Sequence, residues 1–229
     1  MLSDLNRHLI ECYRFVRDDY ITVASYLRLH ARENVREYYL RIRDVYNRSG
    51  VSAAQAARFI YLNRTCFNGV FRVNRQGTFN VPFGDKPSPR FPTVEELASV
   101  SAALKKARLR VCDYELAIRS AKKGHFVYLD PPYPPLNGTS FFTHYTKDRF
   151  GQADQERLAR VVKDLDRRGC LVMVTNADTL FVRSLYSGLN LLELSATRYV
   201  TCRAVKHRVG ELVITNYDLS VAPLALSFK

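Results

Sequence analysis

The sequence predicts an α/β protein: an all-helical opening third, then helices alternating with the strands of a largely parallel sheet from residue 109 onward. Three observations predict it. Apolar positions near the start recur at helical spacing, with Leu9, Cys12, Tyr13 and Val16 at i, i+3, i+4 and i+7. Two short apolar runs, His125-Phe126-Val127-Tyr128-Leu129 and Leu171-Val172-Met173-Val174, have the length of buried strands. An amphipathic stretch with Leu158, Val161, Val162 and Leu165 on one face separates them, as a crossover helix would.

Taken in order, Asp4 is placed to cap the first helix. Residues 33–48 and 52–64 read as two more helices, broken near Ser49-Gly50, with their arginines on solvated faces. Val70-Phe71-Arg72-Val73 and Thr78-Phe79-Asn80-Val81 are β-like tetrads around a turn-like Asn74-Arg75-Gln76-Gly77, so a hairpin is expected. Thr93-Val94-Glu95-Glu96 fits a capping box opening a helix to about Ala107, with Leu97, Val100 and Leu104 inward. A strand at Leu109–Cys112 is followed by Asp113-Tyr114 and a helix to Lys123. A polar, aromatic loop from Asn137 to Phe150 precedes the crossover helix, which Gly169 terminates. The strand from Leu171 reads as covered on both faces and closed by Thr175-Asn176-Ala177-Asp178. A helix to about Leu185 and strands near 190–194 and 211–216, flanking a basic loop, complete the chain.

The 229 residues suit one large domain, or one domain with an insertion. The first ten, MLSDLNRHLI, lack an apolar signal core, and no apolar run reaches the roughly 20 residues of a membrane span. Cys12, Cys66, Cys112, Cys170 and Cys202 form no CxxC, and the histidines have no ligand spacing. Five reduced thiols in a cytosolic protein, no metal and no membrane are therefore expected. The net charge of +13 points to a polyanionic partner. It is uneven: 58–90 carries Arg58, Arg64, Arg72, Arg75, Lys86 and Arg90 against Asp85 alone, and 198–208 adds Arg198, Arg203, Lys206 and Arg208 without an acid. Two such segments can face one phosphate backbone, although a generally basic protein would look similar.

The chemistry concentrates in Asp130-Pro131-Pro132-Tyr133. Neither proline can donate to a ladder, so the strand must end and a rigid loop must follow its carboxyl end, the edge where α/β sheets bind ligands. Asp130 and a proline carbonyl are two acceptors for one NH₂ group, and Tyr133 offers a face for stacking a base. The same four residues also describe a plain proline-rich turn with a capping acid. The hairpin is equally open: Arg72 and Arg75, preceded by Phe67-Asn68-Gly69, have the parts for groove entry, yet surface arginines alone would look alike.

Together the motifs resolve both ambiguities. The run from Leu62 to Gly84, closing on Phe79-Asn80-Val81-Pro82-Phe83-Gly84, resembles the target-recognition hairpin of the Dam-type (D12 class) DNA adenine-N6 methyltransferases, and Asp130-Pro131-Pro132-Tyr133 follows at a suitable distance. The resemblance extends over nearly the whole chain. It implies a Rossmann-like methyltransferase sheet that takes its methyl group from S-adenosylmethionine (SAM), with an inserted helical and hairpin target-recognition region. The implied division is 1–24 as the start of the SAM domain, 25–92 for recognition and 93–229 as the catalytic domain. It implies that Asp130, Pro131, Pro132 and Tyr133 hold the flipped adenine. Asp4 fits the acid for the SAM ribose, Asp113 and Tyr114 the contacts to the SAM adenine, and Asp130 also lines the cofactor. Phe67 and Asn68 stack or wedge; Arg72, with Val70 and Pro82, reads a site expected to be GATC in duplex DNA. Arg203, Lys206 and Arg208 face the backbone, and Arg64 and Arg75 also bind DNA. A protein-glutamine methyltransferase would carry Asn at position 130 and lacks this hairpin.

The chain departs from the family pattern in one respect. The opening Lys/Gly-rich segment and the Phe-x-Gly-x-Gly loop are missing, and no Gly-x-Gly occurs among the ten glycines. That loop lets backbone approach the methionine moiety closely. The chain thus reads as N-terminally truncated. Three readings follow: part of a longer methyltransferase, an enzyme completed by a second chain carrying the glycine-rich motif or working without it, and a non-catalytic DNA-binding remnant.

Overall fold

The computed structural model describes residues 1–134, 150–199 and 206–219, the stretches 195–199 and 206–209 by backbone alone. The described residues form two compact units, one covering Met1–Ala117 and the other beginning at Ile118. This is a partition by contact; the division by role at 24/25 and 92/93 cuts the chain differently.

In the first unit, β1 (Leu2–Asp4) runs parallel to β2 (Leu109–Val111), with Leu2, Ser3 and Asp4 opposite Leu109, Arg110 and Val111. Helix α1 (Arg7–His30) follows, kinked at Asp19, where the backbone leaves helical geometry (φ −150°, ψ 57°). Its cap is Asn6, whose side-chain oxygen takes the N–H groups of His8 and Leu9 at 3.0 and 3.3 Å. Asp4 was the expected cap, but it is still strand; its carbonyl accepts from Cys112 N and its carboxylate from Asn6 N. The buried side of α1 is Ile10, Cys12, Val16, Val23, Ala24 and Leu27, with Leu9 and Tyr13 at its margin.

Helices α2 (Arg36–Arg48), α3 (Ala53–Thr65) and α4 (Val94–Lys105) complete this core, α3 and α4 both packing on α1. The capping box at Thr93 and Glu96 forms as expected. Val100, expected inward, is exposed; Ser101 takes the buried position and donates to the Arg17 carbonyl at 2.7 Å. The serine hydroxyl thereby meets a backbone carbonyl beside the Asp19 kink, which accounts for the exchange. Helix α5 (Tyr114–Ile118) is a single turn rather than a helix to Lys123. The Arg168 guanidinium donates to the carbonyls of Ile118, Arg119 and Ala121, and the Ile118 carbonyl also takes Ala121 N in a tight turn that replaces the helix.

The second unit holds β3 (Phe126–Leu129), α6 (Gln152–Arg167), β4 (Leu171–Ala177), α7 (Leu180–Leu185), β5 (Asn190–Tyr199) and β6 (Lys206–Thr215). The strand order is β3-β4-β6-β5. Strand β3 is parallel to β4, as a crossover through α6 requires, but β6 is antiparallel to both neighbours. The four-stranded sheet is therefore mixed, not largely parallel: β5 and β6 pair as a hairpin, so they must run in opposite directions. Among the described residues, one face of strand β4 is buried and the other only partly so. Val172, Val174 and Asn176 are buried, and α6 packs against the strand, while Leu171 is 44% exposed. On β3, Phe126 and Tyr128 are likewise exposed.

Candidate active site

Leu129 is the last, buried residue of β3, and Asp130-Pro131-Pro132-Tyr133 follows it at the carboxyl end of the strand. Three side chains of the second unit hold this loop. Thr175 on β4 donates its hydroxyl to Asp130 Oδ1 at 2.7 Å. A carboxylate only accepts, so the second bond of that hydroxyl, to Tyr128 OH at 3.2 Å, is one the tyrosine donates. Gln155 on α6 donates from Nε2 to the Pro132 carbonyl at 2.9 Å. Among the described residues, no donor meets the Pro131 carbonyl. The loop thus presents one fixed acid and, beside it, the Pro131 carbonyl, two acceptors on a rigid backbone. The requirement that a strand stop at two prolines was legible in sequence; Thr175, Tyr128 and Gln155 were not.

The other acids assigned from sequence lie in the first unit. Asp4 ends β1, and Asp113 with Tyr114 follows β2, so all three are at the carboxyl edge of one parallel strand pair. All are half-buried. Each carboxylate is fixed by a backbone N–H: Asn6 N to Asp4 Oδ1 at 2.6 Å, Glu115 N to Asp113 Oδ1 at 2.8 Å.

The segment from Phe67 to Gly84 is a hairpin held more by side chains than by a ladder. Val73 bridges Phe79 and Cys66 bridges Phe83, and the Asn74 carboxamide oxygen organises the turn by accepting from Gln76 N and Thr78 N. Helix α2 presents Tyr39, Arg43 and Asn47 at i, i+4 and i+8 to the returning strand. Tyr39 OH and Arg43 Nη1 both donate to the Val81 carbonyl, at 2.8 and 3.0 Å. Asn47 donates to the Phe79 carbonyl and accepts from Phe79 N. Burial pushes the Tyr39 hydroxyl far above its ordinary pKa and so keeps it a donor. Arg43 therefore belongs to this anchor, not to a solvated face. A polar and aromatic stripe at four-residue spacing was the missed signal.

At the hairpin root, Phe67 N donates to the Pro82 carbonyl and Gly84 N to the Thr65 carbonyl. Asn68 and Gly69 both take left-handed backbone (φ 54° and 65°), which folds the chain back over Cys66. The Cys66 thiol, pushed by burial up to about 11, lies beneath as a neutral donor to the Val70 carbonyl. Phe67 is half-buried against the helical core and Val70 also packs on it, whereas Asn68, Arg64, Arg72, Arg75 and Pro82 are exposed. Arg72 is steadied across the hairpin by Asn80, through Nε to Oδ1 at 2.9 Å and Nη2 to the carbonyl at 3.4 Å. Of the basic loop, Arg203 lies outside the described residues, and Lys206 and Arg208 are placed by backbone in β6. No group of acids, histidines or cysteines among the described residues could hold a metal, and none of their helices is long and apolar enough to cross a membrane.

One unit carries the acid-and-proline loop and the other the arginine-bearing hairpin. The chain belongs to the family described as D12 class N6 adenine-specific DNA methyltransferase, whose pattern matches residues 1–200. It is 38% identical over 230 residues to the type II methyltransferase M.MjaIII of Methanocaldococcus jannaschii, a match covering 95% of this chain and 80% of that protein. Identity to the type II methyltransferase M1.LlaDCHI of Lactococcus lactis subsp. cremoris is 37%, covering 95% and 79%. Identity to a DNA adenine methylase of Vibrio cholerae is 36%, covering 93% and 78%. The chain is thus of the adenine-specific DNA methyltransferase class, and enzymes of this class use SAM as methyl donor.

Proposed function

We propose that this chain methylates adenine N6 at GATC sites in duplex DNA, with 25–92 as the recognition region and the rest as a Rossmann-like SAM and catalytic domain. The observation that carries the reading is the Asp130–Tyr133 loop at the end of β3, with its acid fixed by Thr175. The target amine is not basic, so orienting it matters more than deprotonating it. Asp130 and the Pro131 carbonyl accept its two N–H groups, which aims the nitrogen lone pair and meets the positive charge that develops there. Tyr133 stacks on the base, which must leave the duplex to reach the loop.

The residues at the β1 and β2 ends fit SAM by the chemistry of their donors and acceptors. Asp4 is a carboxylate for the ribose hydroxyls, and Asp113 with Tyr114 supplies an acceptor and a flat ring for the adenine. Bound there, SAM supplies an electrophilic methyl group on a sulfonium sulfur. On the hairpin, Arg72 pairs with a guanine edge while Phe67, Asn68, Val70 and Pro82 surround the opened base step; Arg64, Arg75, Arg203, Lys206 and Arg208 contact phosphates. The GATC assignment draws support from the relatives named DNA adenine methylase.

The experiment is transfer of a labelled methyl from SAM to a GATC duplex beside one with the site scrambled. Label in the first alone supports both reaction and site. Asp130→Ala should abolish transfer and leave duplex affinity largely intact; loss of both together would remove Asp130 from the reacting centre. A second reading, that another chain supplies a glycine-rich loop, rests on the absence of any Gly-x-Gly among the ten glycines. Transfer that appears only when such a chain is added would establish it.

A further inference from the structure

We infer that Gln155 and Asn176 are positioning residues for the catalytic loop, a two-amide tether from the core of the second unit to the Pro132 carbonyl. The inference deepens the methyltransferase reading and rests on it. It starts from what two consecutive prolines lack. Pro131 and Pro132 have no N–H, so the loop can be tied down there only through its carbonyl oxygens. If the Pro131 oxygen serves the substrate amine, the Pro132 oxygen is the remaining handle, and Gln155 holds it.

The tether has one possible direction. Ala177 N–H only donates, so the Asn176 oxygen must face it, as it does at 2.8 Å. Asn176 Nδ2 then faces the Gln155 oxygen at 3.0 Å, and Gln155 Nε2 faces the Pro132 carbonyl, which only accepts. Asn176 is fully buried and Gln155 is 1% exposed, on elements whose other buried residues include Leu158, Ala159, Val162, Val172 and Val174. Two amides in such surroundings are costly unless every group is paired, so an apolar pair would serve simple packing better. Thr175 and Asn176 are consecutive on β4. One strand therefore positions both ends of the loop, Asp130 directly and Pro132 through Gln155.

Gln155→Met keeps the side-chain length without the donor. Asn176→Asp keeps the bond to Ala177 N but turns the Gln155 NH₂ toward the new carboxylate and its oxygen toward Pro132. Each variant should slow single-turnover methyl transfer about 10- to 100-fold while SAM and duplex affinities stay within about 3-fold of wild type. The double variant should be no slower than the slower single, because both break one chain. A folded Gln155→Met protein at the wild-type rate, losses that multiply in the double variant, or equal losses in rate and affinity would overturn the inference. A readout without substrate guards against variants that do not fold. The Gln155 carboxamide protons of the ¹⁵N-labelled wild-type chain should exchange slowly with solvent; fast exchange overturns the tether. A wild-type chain that transfers no methyl overturns the activity reading instead, and the carboxamide exchange still decides whether the tether exists.

Discussion

Replacing Thr175 by valine tests the active-site reading with the smallest change in shape. The hydroxyl donates to Asp130 Oδ1 at 2.7 Å and accepts from Tyr128 at 3.2 Å. A hydrogen bond to a charged acceptor contributes about 1.5–3 kcal/mol. Thr175 is half-exposed, so water can partly replace the lost donor and the lower end applies. What remains is a carboxylate free to turn away from the amine it must orient. At 1.36 kcal/mol per decade, Thr175→Val should transfer methyl roughly 10-fold more slowly, with about 100-fold as the ceiling. Tyr128→Phe removes only a longer bond between neutral groups at a side chain that is 53% exposed, so a loss of at most about 3-fold is expected. Adding it to Thr175→Val should cost nothing further, since the tyrosine acts through the threonine. Single-turnover transfer to the GATC duplex, with a gel-shift affinity on each protein, measures all three. Wild-type rates in Thr175→Val, or a Tyr128→Phe variant slower than Thr175→Val, would refute the argument.

Arg72→Ala should relax site choice by roughly 1–3 kcal/mol if the guanidinium pairs with guanine; comparing transfer at GATC and singly substituted sites decides it, and unchanged preference takes Arg72 out of recognition. Gly84→Ala should pry open the hairpin root, because a Cβ there would lie 2.5 Å from the Cys66 carbonyl oxygen and 2.9 Å from Phe67 N, both backbone atoms that cannot rotate aside. An overpacking cost of about 1–3 kcal/mol should appear as a lower urea midpoint with weaker duplex binding, and an unchanged midpoint would contradict the packing described. His30, buried beside Tyr38 and Tyr61, has its pKa lowered from 6.5 to about 4, first by burial and then by Arg58. On acidification the unfolded chain takes up this proton first, so the stabilising contribution is complete above pH 6.5 and is lost as the pH falls toward 4. Between about pH 7 and 5 the loss should be about 2 kcal/mol by urea unfolding, and a His30→Asn variant should lack that part of the slope.

Much of this protein is determined by local sequence. Two prolines after an apolar run end a strand wherever the strand lies, so the place and rigidity of the Asp130 loop follow from covalent structure alone. The Thr93 capping box, the helix breaks at Ser49-Gly50 and Gly169, and the Asn74–Gly77 turn are likewise local, with partners within a few residues. Sequence misjudged features that depend on partners far along the chain. Asp4 and Asn6 are equally good caps by type, and pairing of β1 with β2, more than 100 residues away, makes one strand and the other the cap. Helix α5 stops early because Arg168, about 50 residues on, takes its following carbonyls. The Asp130 loop divides the same way. Its acid and prolines are visible in four residues, but Thr175, Gln155 and Asn176 acquire roles only when β4 pairs with β3 and α6 covers the face carrying Asn176. A hydrogen bond needs its donor and acceptor within about 3 Å of each other, and only tertiary folding brings such residues that close.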